Sequence, residues 1–145
     1  YHYIVNRRSG LVMTAQSNKE GAFVDQNKAV GSDLQAWEAR YFTSGGTKYY
    51  VFRLAKTNYV LHIPNGSNKT GVQLRARKYA QVSYQQWRIS EALGQWVRIR
   101  SRKHPSKYIS VRGDSNGERA DVIIQDYRSS NYDSQLWAFI EMNFK

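Results

Sequence analysis

The stretch Gln35–Trp37, read Gln-Ala-Trp, returns as Gln85–Trp87 (Gln-Gln-Trp) and as Gln135–Trp137 (Gln-Leu-Trp). The three tryptophans stand at positions 37, 87 and 137, a constant step of 50. One such triplet arises easily by chance, but three at one interval within 145 residues indicate an internal threefold repeat. Every other segment is therefore interpreted relative to the triplets.

The triplets divide the chain into three units, at about 1–42, 49–90 and 95–141, separated by Gly-containing segments. Each unit opens with a strand pattern; in the third, apolar Val97 and Ile99 alternate with arginines. Second strands are predicted at 11–13, 59–61 and 108–110, third strands at 22–24, 72–74 and 122–124, and fourth strands from each tryptophan onward. The sequence thus predicts about twelve short strands and no helix of useful length.

Units of four short strands are too small to bury an apolar face alone, so the three must share one core. We predict one all-β domain over residues 1–145, closed around a pseudo-threefold axis. Closure also removes exposed sheet edges.

These residues resemble the ricin B-type lectins, whose hallmark is one Gln-x-Trp per repeat. The resemblance covers essentially the whole chain and rests on the three triplets, their spacing and the Ser-Gly and Asn-Gly turns before them. It implies a β-trefoil of three four-stranded repeats, a six-stranded barrel capped by three hairpins. It also implies carbohydrate binding, without catalysis, in shallow pockets on the repeats.

For the triplets themselves, a structural role is favoured over a binding one. A buried indole fills a layer of the core, and the glutamine amide can satisfy backbone groups where the chain turns back. In the family the glutamines can also touch the ligand, so Gln135 stays among the candidate binding residues.

The family's sugar site departs from its usual pattern in every repeat. We place the family's second-strand Asp at Met13, Leu61 and Ser110, and its aromatic residue at Asp25, Arg75 and Gln125. No repeat therefore carries an intact galactose-type site.

The third repeat is the best supplied with polar and aromatic side chains. The second repeat, which is cationic and aromatic, ranks second as a candidate site, because guanidinium groups suit an anionic sugar. The first repeat ranks last. Polar turn residues can also serve only the turns themselves. The predicted binding residues are Asp114, Asn116, Gln125, Asp126, Tyr127, Asn131 and Gln135 in the third repeat, Gln73, Arg75, Tyr79 and Tyr84 in the second, and Asp25 and Asn27 in the first.

The charge balance offers an alternative. The chain has 22 Lys and Arg against 11 Asp and Glu, a net charge of +11. Such a charge attracts sulfated or other anionic glycans, or a protein partner. Arg98, Arg100 and Arg102 alternate onto one outward face and could form that surface, although alternating charge is also typical of any solvated strand.

Other chemistries find little support. There are no cysteines, and the three histidines show no metal-ligand spacing, so no metal or other cofactor is expected. No nucleophile motif, phosphate loop or nucleic-acid motif is present, and no apolar run is long enough to span a bilayer. We expect a secreted or extracellular module that binds glycans, free-standing or part of a larger toxin or hydrolase.

Overall fold

A computed structural model describes residues 1–143, which form an all-β structure of twelve strands. Five single-turn 3-10 helices interrupt them, three of them ending on the glutamine of a triplet. The strands are β1 (His2–Asn6), β2 (Val12–Ala15), β3 (Ala22–Asn27), β4 (Trp37–Ser44), β5 (Thr47–Leu54), β6 (Tyr59–His62), β7 (Arg75–Lys78), β8 (Trp87–Leu93), β9 (Trp96–Ser101), β10 (Lys107–Val111), β11 (Val122–Asp126) and β12 (Trp137–Glu141). The last two residues of the predicted domain, 144 and 145, lie outside the described part.

Six strands close into a barrel. The long pairs are β4–β5, β8–β9 and β12–β1, in which each triplet tryptophan pairs with the end of the next repeat's first strand: Trp37 with Leu54, Trp87 with Ser101 and Trp137 with Asn6. Shorter pairings, β1–β4, β5–β8 and β9–β12, complete the ring. All pairs are antiparallel. Because the six strands form a closed ring, the barrel has no free edge.

Three hairpins, β2–β3, β6–β7 and β10–β11, cap one end of the barrel. They meet one another through β3–β7 pairing and through the backbone bonds from Val24 N to Leu74 O and from Leu74 N to Val122 O. A six-stranded barrel with three capping hairpins is the architecture of a β-trefoil, and the predicted fold class is confirmed. Among the described residues no helix is long and apolar enough to cross a membrane.

The three triplet tryptophans are the largest fully buried side chains of the described chain. Each indole N–H donates to a carbonyl of the second strand in its own repeat: Trp37 to Met13 (3.1 Å), Trp87 to Leu61 (3.3 Å) and Trp137 to Ile109 (3.0 Å). The ring fills the core while its polar atom is satisfied, which an indole requires when buried. Around the tryptophans pack aliphatic residues and Phe52.

These bonds define which residues are equivalent, and they correct the predicted register. The residues after the three carbonyls are Thr14, His62 and Ser110, so the predicted positions Met13 and Leu61 were wrong by one residue. Across the hairpins these residues pair with Asp25, Arg75 and Ile123, so Gln125 was placed two residues too far. The predicted strand at 72–74 also lies later, at Arg75–Lys78.

The repeats differ in the length of the loop before the triplet. The triplet glutamine binds a carbonyl seven residues earlier in the first two repeats, from Lys28 and Lys78, but nine residues earlier in the third, from Asp126. The third repeat therefore has two extra residues before its triplet. The constant step of 50 between tryptophans conceals this insertion.

We predict that Trp137→Phe lowers the free energy of unfolding by about 2–3 kcal/mol, because it orphans the Ile109 carbonyl and leaves a void. Guanidinium denaturation would measure the loss. The half-buried Trp96 lies outside the triplets, so Trp96→Phe is the matched control and should cost less than about 1 kcal/mol. Equal losses in the two variants would contradict the role assigned to the triplet.

Candidate functional site

Each triplet glutamine is buried and holds the loop that borders a candidate site. Gln35 accepts from the Val30 N–H (2.9 Å) and donates to the Lys28 carbonyl (2.7 Å). Gln85 and Gln135 make the same two bonds, to Ala80 and Lys78 and to Arg128 and Asp126, respectively. Both ends of each amide are thus used by the backbone, as the structural interpretation of the triplets predicted, and the loop is fixed beside the second strand.

In the first repeat this frame borders a cavity of about 520 Å³. Its polar centre is Asp25, only 4% exposed. One carboxylate oxygen accepts from the Gln16 amide (3.1 Å) and the other from the Asn27 amide (2.7 Å). Thr14 lies directly across the hairpin from Asp25. The remaining lining residues are Ala15, Leu34 and Arg119.

The position of Asp25 explains its electrostatics. Burial raises the pKa of Asp25 above its ordinary value, and the nearby Asp121 carboxylate raises it further. The Gln16 and Asn27 amides and the Arg119 charge act in the opposite direction. The cavity therefore presents a carboxyl group whose position is fixed and whose remaining lone pairs face a partly dehydrated space.

The second repeat has a cavity of about 400 Å³ with a different lining: His62, Pro64, Asn65, Arg75, Arg77 and Tyr84. Tyr84 stands edge-on to the His62 ring, with centroids 5.2 Å apart. The Arg75 guanidinium stacks on the Phe23 ring at 4.0 Å, which directs and stiffens it. This cavity is cationic, as the sequence predicted for the second repeat.

His62 is neutral at ordinary pH. Burial, followed by the charges of Arg77 and Arg75, lowers the pKa of His62 from 6.5 to about 4, and Glu20 only partly opposes them. Its Nδ1 lies 3.1 Å from the Gln85 side-chain nitrogen. His62 is 8% exposed and lies across the hairpin from Arg75.

The third repeat contains an internal ion pair between Asp114 and Arg128. Arg128 Nη1 contacts both carboxylate oxygens of Asp114 at 2.7 Å, and the Ser134 hydroxyl donates to one of them at 2.6 Å. Although partial burial opposes it, hydrogen bonding from Arg128 and Ser134 holds the pKa of Asp114 below its ordinary value. Asp114 is thereby engaged with protein groups. Arg128 occupies the position of Val30 and Ala80, whose N–H groups also bind the triplet glutamine, and the two-residue insertion follows it.

The remaining predicted residues of the third repeat are distributed around this pair. Asn131 turns with a φ of +50° and gives its carbonyl to Arg128, while Asn116 is exposed. Asp126 is bound by Lys107. Tyr127, half exposed, packs on Tyr108, next to Gln125 on the neighbouring strand. The predicted residues therefore do not converge on one open pocket.

Two predicted residues of the second repeat lie away from its cavity lining. The Gln73 amide donates to the Val24 carbonyl (3.1 Å), between the capping hairpins. Tyr79 borders a separate, largely apolar groove with Tyr41 and Val51, and its hydroxyl accepts from Gln86. Arg75 and Tyr84 line the cavity, as do Asp25 and Asn27 in the first repeat.

Two arginines of the predicted outward series, Arg98 and Arg102, lie against aromatic rings. Arg98 lies 4.9 Å from the ring centres of both Tyr127 and Tyr132, and Arg102 lies 4.1 Å from that of Tyr49. Arg102 also donates to the Gln86 side chain. Arg98, Arg100 and Arg102 are all partly buried.

Sequence reasoning missed several cavity residues, among them Thr14, Gln16, His62 and Arg119. His62 was dismissed as a metal ligand and not considered as a donor. The signal that could have found Thr14 and His62 is the strand register, which places them one residue after the carbonyl bound by the tryptophan.

Comparison with known families gives one match. The model of a family described as ricin-type beta-trefoil lectin domain-like matches residues 1–76 and, in a second overlapping match, residues 33–125. No match was found among curated protein sequences.

Several solved structures are similar over nearly the whole chain. A designed threefold-symmetric protein, ThreeFoil, has a TM-score of 0.89 and 25% identity, covering 97% of this chain and 98% of that one. An exo-beta-1,3-galactanase from Clostridium thermocellum has a TM-score of 0.85 and 24% identity, covering 97% of this chain but only 30% of that one. A Macrolepiota procera ricin B-like lectin, in complex with lactose, has a TM-score of 0.75 and 17% identity, with 97% and 94% covered. The last two likenesses show the fold alone.

We predict that the free energy of unfolding falls as the pH is lowered, because of the titration of His62. Above pH 6.5 the ring is neutral in both states and contributes nothing. Between pH 6.5 and about 4 the unfolded chain binds a proton that the folded chain refuses. The free energy of unfolding should therefore fall over that window, by up to about 3 kcal/mol.

Urea denaturation at pH 7 and pH 4.5 would measure this, with His62→Gln as the comparison. The variant keeps all other titrating groups, so the difference between the two proteins isolates His62. An imidazole titration near pH 6.5, observed by NMR for His62 in the folded protein, would contradict the prediction.

Proposed function

Because the chain belongs to the ricin-type beta-trefoil lectin domain-like family, we propose that it is a carbohydrate-binding module whose first-repeat cavity receives a sugar unit. The observation that carries this proposal is the buried, oriented carboxyl group of Asp25 in that cavity. Sugar recognition needs planar polar groups that pair with neighbouring hydroxyls, and an apolar face for the C–H side of the ring.

The polar row of the first cavity supplies the pairing groups. Asp25 lies between the amides of Gln16 and Asn27, so that acceptors and donors alternate over a short distance. Across the hairpin, the Thr14 hydroxyl donates to the Val12 carbonyl and accepts from Gln35. In this proposal two adjacent sugar hydroxyls donate to Asp25 and accept from an amide N–H.

Asp25 also offers a substitute for the family's usual carboxylate. In the family that carboxylate stands on the second strand, where this chain has Thr14. Here the carboxylate stands on the third strand, directly across from Thr14. Leu34 and Ala15 provide the apolar side of the cavity. The groups that a sugar requires are thus present, but redistributed over the hairpin.

The proposed action is binding without catalysis. Among residues 1–143, Asp25 is the one carboxylate that lines this cavity, whereas glycoside hydrolysis generally uses two carboxyl groups on opposite sides of the bond. The neighbouring Asp121 is engaged by Arg112 at 2.8 Å. A single open site of this kind binds weakly, with a Kd on the order of 0.1–1 mM, so useful retention comes from several sugars on one surface.

The galactanase comparison, in which a chain of this fold is a third of a larger enzyme, favours a targeting role within a larger protein. We propose glycans as the partner and a secreted or extracellular setting, where glycan-bearing surfaces are found. A toxin or a hydrolase would each fit such a module.

We predict that Asp25→Asn weakens glycan binding at least tenfold, because the amide that replaces the carboxylate is a weaker acceptor and disturbs the Gln16 and Asn27 contacts. A glycan array would identify neutral ligands of the wild type, and calorimetry would then compare the variants. The matched control is Asp133→Asn, which alters a half-exposed carboxylate held by one 3.7 Å contact to Arg7. Equal binding by Asp25→Asn and wild type would remove the first cavity from the proposal.

A further inference from the structure

We infer that the second-repeat cavity is a receptor for a compact oxyanion, a carboxylate or sulfate group carried by a glycan. This inference rests on the proposed function and names the ligand class of a second site. The cavity is lined by His62, Pro64, Asn65, Arg75, Arg77 and Tyr84.

The His62 side chain is oriented by Gln85. The Gln85 amide is oriented by the backbone, since its oxygen accepts from the Ala80 N–H at 2.7 Å. Its nitrogen donates to the Lys78 carbonyl at 2.8 Å and lies 3.1 Å from His62 Nδ1. Because that nitrogen is a donor, Nδ1 must accept, and the proton of the neutral imidazole resides on Nε2. His62 therefore offers an N–H donor at the cavity side of a nearly buried ring.

Two arginines line the same cavity. Arg75 pairs across the hairpin with His62, and its guanidinium is held on the Phe23 face. Its Nε is buried and lacks a hydrogen-bond partner. Because Nε is closed to solvent, the terminal nitrogens of this guanidinium are the groups that an acceptor entering the cavity would meet. Arg77 adds a second guanidinium in the same cavity, and a fork of N–H groups suits planar oxyanions.

The lining of this cavity is rich in donors and poor in acceptors. Among residues 1–143, no carboxylate lines it. Glu20, the acidic group that acts on His62 electrostatically, already accepts a hydrogen bond from the Lys78 N–H through one oxygen. Only the Asn65 and Tyr84 side chains could accept from a ligand. Every hydroxyl of a neutral sugar brings a proton that needs an acceptor, and this lining supplies few acceptors, whereas an oxyanion brings acceptor oxygens and negative charge without such protons.

The second cavity differs from the first at two equivalent backbone positions, and this difference makes it cationic. Thr14 and Asp25 occupy the same two backbone positions as His62 and Arg75, one on each strand of the hairpin. The frame is repeated, but an acceptor in the first cavity is replaced by a cation in the second. Tyr84 then provides an aromatic wall for the sugar ring that carries the anionic group, with the Lys103 ammonium 5.2 Å from the ring centre.

The test is a titration with small probes at constant ionic strength, followed by calorimetry and by NMR shifts of the cavity residues. The probes are the methyl glycosides of galactose, galactose 6-sulfate, glucuronic acid and N-acetylneuraminic acid. The variant is Arg75→Gln with Arg77→Gln. The charge-matched control is Arg40→Gln with Arg88→Gln, which removes two exposed arginines from the barrel strands.

We expect at least one acidic probe to bind the wild type and the control, and to bind the Arg75 and Arg77 double variant at least tenfold more weakly. The sulfate and carboxylate probes separate the two sources of the oxyanion, and a preference for either supports the inference. Thermal unfolding of each variant establishes that the fold is kept.

Equal weakening in the control would show a general charge effect and would overturn the inference, as would unchanged binding in the double variant. Neutral binding that depends on Asp25, with acidic probes indifferent to Arg75 and Arg77, would overturn the inference alone. Failure of every probe and of every array glycan would overturn both this inference and the proposed function.

Discussion

Hydrogen bonding of the buried triplets is the constraint on which the rest of the structure depends. An indole and a primary amide enter the core only if their polar atoms find partners there. The tryptophan finds a carbonyl of the second strand, and the glutamine finds a carbonyl and an N–H of the loop after the third strand. One triplet therefore joins three segments of its own repeat, namely its own strand, the second strand and the returning loop. Through β4–β5 pairing it also links them to the next repeat. The barrel, the hairpin cap and the cavity walls all follow from these few bonds.

The same constraint leaves the cavity side chains free to differ. The frame is made of backbone groups and of glutamine amides whose two loop bonds are the same in all three repeats, so these bonds do not specify what stands at the paired positions 14 and 25, 62 and 75, or 110 and 123. These pairs are Thr with Asp, His with Arg, and Ser with Ile. One backbone thus carries an acceptor site, a cationic site and, in the third repeat, the internal pair of Asp114 and Arg128.

The fold was accessible from the sequence because its determinants recur at long range with one spacing. Trp37, Trp87 and Trp137 are identical in kind, and the apolar alternation around them predicts three four-stranded units that share one core. The six-stranded barrel itself was implied by the resemblance to the ricin B-type lectins. The sites were less accessible, since two loops differ in length and their differences cancel between tryptophans. Gln125 was therefore aligned with Asp25 and Arg75, although Ile123 is their equivalent. Nor does composition reveal that Arg128 folds back onto Asp114, because that contact depends on the loop conformation. The polar richness of the third repeat, which suggested a binding pocket, is largely consumed within the protein.

The pairing of Arg128 with Asp114 in the third repeat has a consequence for valence. On the assignments proposed above, the module has two open receptors, and the two differ in sign. Repetition of one sugar on a surface then engages one receptor per molecule and gains little from multivalency. A surface that displays neutral and acidic sugars within one molecular diameter engages both receptors at once, and the second contact benefits from the effective concentration set by the first. The domain would then respond to a combination of sugars, behaving as a coincidence detector whose output is retention at a surface.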